Sequence, residues 1–343
     1  MIAPLEFGLD TFGDVTKDAA GAMLPHAQVI LNVVDEAVLA DELGLDFIGL
    51  GEHHRADFAI SSPETVLAAV ASRTKRIHLG SAVTVLGSDD PIRVFQRFAT
   101  LDALSNGRAE VILGRGSFTE SFPLFGFDLR QYEELFEEKL DLFAALLSQK
   151  PVTWQGKLRS SLKEQLVYPP VENGQLKTWI GVGGSPQSVV RAAHYDLPLM
   201  LAIIGGDPER FAPYVDLYHR AFKEFGRPAQ PIGVHSPGYV AETDEQAREE
   251  LWPDYKAMRD RIGRERGWPP MGRDEFGREA EHGSLYVGSP ETVARKIAKT
   301  AKALGIARFQ LKYSAGPLPH EKLMKSIELY GRKVVPMVRE MLG

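Results

Sequence analysis

The sequence predicts an α/β fold, a closed (β/α)8 TIM barrel with insertions, and three observations predict it. Short apolar segments alternate with amphipathic helical stretches along the chain, the pattern of a parallel sheet with right-handed crossovers. Eight such strand-helix units follow one another, the number that closes a barrel. The length, 343 residues, admits one large barrel, as it also admits two ordinary domains. One barrel domain over 1–343 is therefore expected, with an excursion near 150–176 and a loop region near 267–283. The runner-up is an open doubly wound sheet with a second domain beginning near residue 150.

Leu5 to Thr11 reads as the first strand, and His26 to Leu43 as a helix whose apolar face includes Val29, Val33, Ala37 and Ala40, stopped by Gly44. Phe47 to Gly51 is apolar on both faces, as a strand buried on both sides must be. Ser62 and Pro63 open a helix that runs to about Thr74. Ile77 to Leu86 is the third strand, Pro91 to Leu104 the next helix, and Asn106-Gly107 the turn into the fourth strand, Arg108 to Gly114. Gln131 to Leu147 is helical. Pro151, Gly156, Pro169, Pro170 and Gly174 then interrupt the pattern, with Val152-Thr153-Trp154 and Leu166-Val167-Tyr168 as short strands of the excursion. Alternation resumes with Thr178 to Gly183, a helix from Ser185 to about His194, Pro198 to Ile204, a helix from Asp207, and Ile232 to Ala241. A charged helix from Asp244 to about Arg266 precedes the Pro/Gly/Arg-rich stretch 267–283. Pro290 to Leu304, Phe309 to Tyr313 and a helix from Pro319 to Met341 complete the chain.

Composition narrows the function. The chain is 44% hydrophobic and 25% charged, a globular balance. Its net charge of −6 favours neither nucleic acid nor an anionic membrane as a partner. It has no cysteine, which excludes disulfides, thiolate metal sites and cysteine nucleophiles. No apolar run is long enough to span a bilayer and no signal peptide is legible, so a cytoplasmic location is expected.

In a parallel α/β protein, ligands sit beyond the carboxyl ends of the strands. The second strand ends in Glu52-His53-His54-Arg55, a carboxylate, two imidazoles and a guanidinium in a row. The fifth runs through Gly183-Gly184-Ser185-Pro186 into a helix, where glycines admit a ligand close to the backbone and free N–H groups face an anion. Ser185 and Ser188 lie on that first turn, and Ser185 is also placed as a plain N-cap. Arg115, between Gly114 and Gly116 at the end of the fourth strand, has the fork to bind a phosphate. Gly288-Ser289-Pro290 looks similar, but no strong strand precedes it, so capping is the expected role. No metal site is expected, because neighbours at a strand end diverge. A hydrolase triad lacks its Gly-x-Ser-x-Gly elbow. Phe118, Phe122, Phe125 and Phe127 suggest an apolar pocket wall, with plain packing as the commoner role of such a cluster.

These residues, taken with Ile77 to Leu86, Asp90-Pro91, Leu101 to Arg108, Leu113-Gly114-Arg115-Gly116 and Val287-Gly288-Ser289-Pro290, resemble the bacterial luciferase-like flavin-dependent monooxygenases. The match spans nearly the whole chain in order and spacing. The resemblance implies reduced FMN at the barrel mouth and O2 used to oxygenate a small organic substrate. It implies His53 as the catalytic residue beside the flavin, Glu52 at the ring edge, and a non-proline cis bond between Ala82 and Val83 under the ring. Arg115, Ser117, Gly184, Ser185 and Ser188 fall at phosphate-side positions. A deazaflavin-using branch more often carries Ser-Asp-His at this point, so FMN is favoured over a deazaflavin, and an enzyme over a non-enzymatic flavin-binding protein. No NAD(P)H fingerprint is legible, which points to a separate flavin reductase. Related chains pair through outer helices, so a homodimer or tetramer is expected.

Overall fold

In the computed structural model, which describes residues 4–172 and 174–343, eight parallel strands close into a barrel. They are Glu6–Thr11, Phe47–Leu50, His78–Ser81, Ala109–Gly114, Lys177–Val182, Leu199–Ala202, Ile232–Val240 and Arg308–Lys312. Ile232–Val240 pairs with Leu199–Ala202 on one side and Arg308–Lys312 on the other, and Arg308–Lys312 pairs with Glu6–Thr11, so no barrel edge is left open. Closure rules out the open sheet. All eight expected strands form, within a residue or two of the expected ends except where the third breaks after Ser81 and resumes at Thr84–Val85.

The outer faces of the strands pack on the helices through one continuous cluster that includes Leu9, Ile48, Leu79, Leu113, Ile180, Val234 and Leu311. Inside the barrel a second cluster, Phe47, Ala82, Ile112, Trp179 and Met200, fills the middle. Gly80 makes room there, since a Cβ on it would lie 2.7 Å from the Phe47 ring.

At the amino end of the strands the barrel is closed by charge. Arg308, 1% exposed, places its guanidinium against fully buried Glu110 at 2.7 and 3.1 Å. The Glu110 carboxylate also accepts from Trp179 at 3.0 Å and pairs with His78 at 3.0 Å and Lys177 at 3.1 Å. Arg308 stacks over Phe47 and Trp179, 4.6 and 4.7 Å from the ring centres. Burial works against the Glu110 charge, but Arg308 and the other donors outweigh it and hold the carboxyl well below its usual range.

Four local features differ from expectation. The excursion is a two-stranded antiparallel hairpin, Val152–Trp154 with Leu162–Gln165. Its second strand lies upstream of the expected Leu166 to Tyr168, which runs into Pro169 and Pro170, residues without a donor for a ladder. The 267–283 region contains a helix, Arg273–Glu281, which buries Phe276 against Trp252 and Tyr255; its glycines hid the helical period. Tyr286–Gly288 is a strand paired with Gly238 to Val240, too short to read from pattern. The last helix opens into a π turn over Tyr330–Val334, just before Pro336, whose ring cannot donate to the helix. Among the described residues no helix is long and apolar enough to cross a membrane.

Arg308→Ala should destabilise the protein by about 3–5 kcal/mol, because it leaves the buried Glu110 charge without its main partner. A double change, Arg308→Met with Glu110→Leu, should cost much less. Urea unfolding of both variants checks this, and equal losses would assign Arg308 a packing role alone.

Candidate active site

The second strand delivers its polar triplet into the barrel mouth. The His53 amide donates to the Ile60 carbonyl at 3.0 Å, which fixes the backbone there. The His53 ring stacks on Phe58 at 4.5 Å and meets the edges of Phe12 and Phe118 at 4.7 and 4.8 Å. Its Nδ1 lies 3.2 Å from the Glu120 carboxylate. An ionised carboxylate only accepts, so Nδ1 carries a proton, and in the neutral ring Nε2 then has the lone pair. Burial pushes the Glu120 carboxyl up, but the hydrogen bonds from His53 and from backbone amides outweigh it, and the group stays below its ordinary value.

Glu52 turns elsewhere. One oxygen accepts from the Val85 amide at 3.2 Å and the other pairs with His54 Nε2 at 2.9 Å. His54 packs on Phe125, centroid to centroid 5.0 Å. Glu52 and His53 thus make no hydrogen bond to each other among the described residues; Glu52 anchors the loop after the third strand while His53 works with Glu120. Of the four phenylalanines read as a wall, Phe118 and Phe125 meet the histidine pair. Phe122 is fully buried beside Tyr132, and Phe127 lies under Lys139.

The Ala82-Val83 peptide is cis. The Val83 side chain lies over the inner faces of Gly114 and Gly181, where added Cβ atoms would come within 2.5 and 3.1 Å of it. A side chain at 114 would force Val83 away from the inner cluster it packs against.

On the far side of Val83 the fourth and fifth strands end together, Leu113 pairing with Ile180. Ser185 caps the helix Pro186–His194, accepting from the Ser188 amide at 3.4 Å, and donates to Gln187 at 3.0 Å. Tyr214 donates to the Gly184 carbonyl at 2.8 Å. Arg115 pairs with Glu133 and its guanidinium lies 5.7 Å from the Tyr132 ring centre. Arg191 approaches the buried Ser188 hydroxyl at 3.4 Å and pairs with Glu137. Glu133 and Glu137 stand one turn apart on the helix Tyr132–Leu146, so the two arginines face one side of it.

Arg115, Gly184, Ser185 and Ser188 therefore lie on the neighbouring ends of the fourth and fifth strands. Ser117 is exposed on the following connection, where its carbonyl accepts from Arg266 at 3.0 Å. Two guanidiniums, two hydroxyls and a Gly183-Gly184 corner suit a phosphate monoester. A Cβ on Gly183 would meet nothing within 4 Å, so the corner is open to a ligand. Glu133 and Glu137, 59% and 58% exposed, are counter-ions a phosphate can replace.

The mouth is strapped on one side. Arg55 makes a two-pronged pair with Glu265 at 2.5 and 2.8 Å, and Arg55 and Arg266 flank the Phe118 ring at 5.0 and 4.8 Å. A rim cleft lined by Asp14, Arg55, Asp57 and Arg261 opens beside this strap, with no wall from His53, Glu52 or Arg115. Glu120 and Arg191 escaped the sequence reading. Arg191 sits three residues after Ser188 on one helix face, a spacing that signals it; Glu120 has no local signal. Among the described residues no three histidines or carboxylates gather to hold a metal.

The chain matches the model of the luciferase-like monooxygenase family over residues 11–308. It is 23% identical to the alkanal monooxygenase alpha chain of Photorhabdus laumondii, covering 96% of this chain and 98% of that one. Its fold is similar to that of the monooxygenase RslO1 from Streptomyces bottropensis, with a TM-score of 0.83 at 23% identity over 97% of this chain and 99% of the other. It is also similar to the oxygenating constituent of 3,6-diketocamphane monooxygenase from Pseudomonas putida, solved in complex with FMN, with a TM-score of 0.76 at 19% identity over 97% and 98%. The coenzyme F420 dependent tetrahydromethanopterin reductase of Methanopyrus kandleri shares the fold as well, with a TM-score of 0.73 at 19% identity over 97% and 99%.

The hydrogen bond to Glu52 raises the His54 pKa above its ordinary value, against burial. A raised folded-state pKa gives stability that is complete below the unfolded value, about 6.5, and is lost as pH rises through the folded value. The stability advantage of the native protein over Glu52→Gln should therefore shrink as pH climbs upward from that point. Urea midpoints across the range check it; a constant difference would remove the coupling.

Proposed function

This chain belongs to the luciferase-like monooxygenase family, and from that premise we propose that it is a flavin-dependent monooxygenase that takes reduced FMN and O2 and oxygenates a small organic substrate. The observation that carries the reading is the pairing, across one barrel mouth, of the His53-Glu120 dyad with the Arg115, Ser185, Ser188 and Arg191 cluster. The cluster offers the flavin phosphate two guanidiniums and a helix start. When bound in reduced form, FMN supplies the electrons that activate O2. His53, held by Glu120 and walled by Phe12, Phe58 and Phe118, presents Nε2 to the site and moves a proton there. Those three rings leave the His53 side chain 11% exposed. Glu52, fixed by His54 and the Val85 amide, holds the loop after Ala82 and Val83, the residues that would hold the flavin ring.

The proposed working form is one barrel domain, a homodimer or tetramer, in the cytoplasm, fed by a separate flavin reductase. Exposed Leu31 and Leu104 on the outer helices support the association. A second reading, a deazaflavin-dependent oxidoreductase, is favoured by the likeness to the coenzyme F420 dependent enzyme. Titration with FMN and with that deazaflavin separates the two, and binding of the deazaflavin alone would reverse the choice.

Arg115→Ala should weaken FMN by about 1.5–3 kcal/mol, the range for hydrogen bonds to charged groups. Riboflavin, which lacks the phosphate, should lose much less. Equal losses for both flavins in a fluorescence titration would place Arg115 elsewhere.

His53→Gln should leave flavin affinity within a few-fold and lower product formation at least about a hundredfold, the scale of a lost acid or base. Product counted by mass spectrometry with a reductase present is the measurement. Formation at the native rate would transfer the role to another group.

A further inference from the structure

A second carboxylate-imidazole pair lies deeper in the same mouth. His235, on strand Ile232–Val240, places Nδ1 2.7 Å from an oxygen of Asp10 on strand Glu6–Thr11. The two strands are not neighbours, because Arg308–Lys312 runs between them, so the pair spans the barrel interior. Asp10 is fully buried, while 11% of the His235 side chain reaches solvent. In the neutral ring the proton again belongs on Nδ1, since a carboxylate can only accept, and Nε2 then has the lone pair. Phe12 stacks on the His235 ring at 6.3 Å, nearly parallel at 17°, and meets the His53 ring at 4.7 Å. One aromatic side chain therefore separates the two imidazoles.

The surroundings are not those of a packing histidine. Among the described residues the second Asp10 oxygen has no partner, and neither amide atom of fully buried Gln310 has one. Gln310 stands opposite His235 in the strand register. Unpaired buried polar atoms are costly, and three of them beside one imidazole point to a polar ligand or ordered water that meets them. The other charges packed here are committed. Lys312 bonds Asp14 at 3.0 Å and the Ser314 carbonyl, with its ammonium 4.5 Å from the Phe12 ring centre. The Tyr313 hydroxyl donates to Glu36 at 2.5 Å, and Glu36 also pairs with His320.

We propose that His235, oriented by Asp10, is a proton acceptor of the barrel mouth that takes the proton of an acidic hydroxyl, as in a phenol or enol, on the bound substrate. The substrate role rests on the oxygenase reading above. The O–H bond breaks with its electron pair left on oxygen, an Nε2–H bond forms, and the imidazolium stands against the Asp10 carboxylate until the proton passes to solvent. The oxyanion left behind has a more electron-rich carbon skeleton, which suits a substrate that is to be oxygenated. Asp10 is a positioning residue in this scheme, since it acts through the ring.

The test uses the full chain, with and without FMN, and 4-nitrophenol as the probe. At about one pH unit below the free phenol's own pKa, the bound probe should show nitrophenolate absorbance, and the His235 nitrogen resonances should move to the imidazolium position. His235→Gln should keep its FMN affinity and lose the colour. Asp10→Asn should lower the phenolate fraction about tenfold or more, the effect of removing an adjacent charge. A His235 resonance unmoved by 4-nitrophenol, or colour that persists in His235→Gln, would overturn the proposal. Should His235→Gln not fold, the resonance of the native chain decides alone. FMN titration is scored separately: no FMN binding with an intact 4-nitrophenol response sinks the cofactor reading and leaves the proton acceptor standing.

Discussion

The Glu110-Arg308 pair is the constraint around which the barrel is organised. It sits where no water can solvate either charge, so each group depends on the other and on the ring of partners around them. Those partners come from the first, third, fourth, fifth and eighth strands: Glu6, His78, Glu110, Lys177 with Trp179, and Arg308. A register slip in any of these strands would move a charge away from its partner or a strand's inward residues to its outer face. The pair therefore contributes more to choosing one closed register than to net stability, which apolar packing supplies in the two hydrophobic clusters.

With the amino end plugged, the carboxyl end is free to be polar. The interior changes along the barrel from the ion cluster, through Phe47, Ile112, Trp179 and Met200, to Asp10, His235 and the Val83 loop at the mouth. Small residues accompany that change. Gly114 and Gly181 leave room for the Val83 side chain against the strand ends. Rigid strand ends carry His53, Arg115 and Ser185, while the longer connections carry Glu120 and Phe118, which complete the cage around His53. The strap from Arg55 and Arg266 to Glu265, Ser117 and Phe118 links those connections to the end of the long helix Asp244–Arg266.

Much of this is legible in the sequence. The eight strands, Ser185 as a cap, and the helices His26–Glu42, Pro63–Arg73, Pro91–Ser105 and Pro290–Leu304 follow from periodicity and from Pro, Ser and Gly at helix ends. These are local signals carried within one segment. The same locality hid the helix Arg273–Glu281, whose Gly272, Gly277 and flanking prolines mask a period that burial of Phe276 enforces. It also hid the strand Tyr286–Gly288, which is defined by its neighbour and not by its own residues.

What the sequence determined by itself was the fold class and the chemical types at each strand end, because strand and helix periods and end residues are written into contiguous stretches. What only the tertiary structure decided was which of those groups act on one another. Glu52 and His53 are adjacent in sequence and diverge, since alternate residues leave a strand end in different directions. His53 instead meets Glu120, 67 positions away, and His235 meets Asp10 at a separation of 225. Such pairs leave no periodic trace; they exist because barrel closure brings distant strand ends into one mouth, where a carboxylate has an imidazole within reach and little water to compete for it.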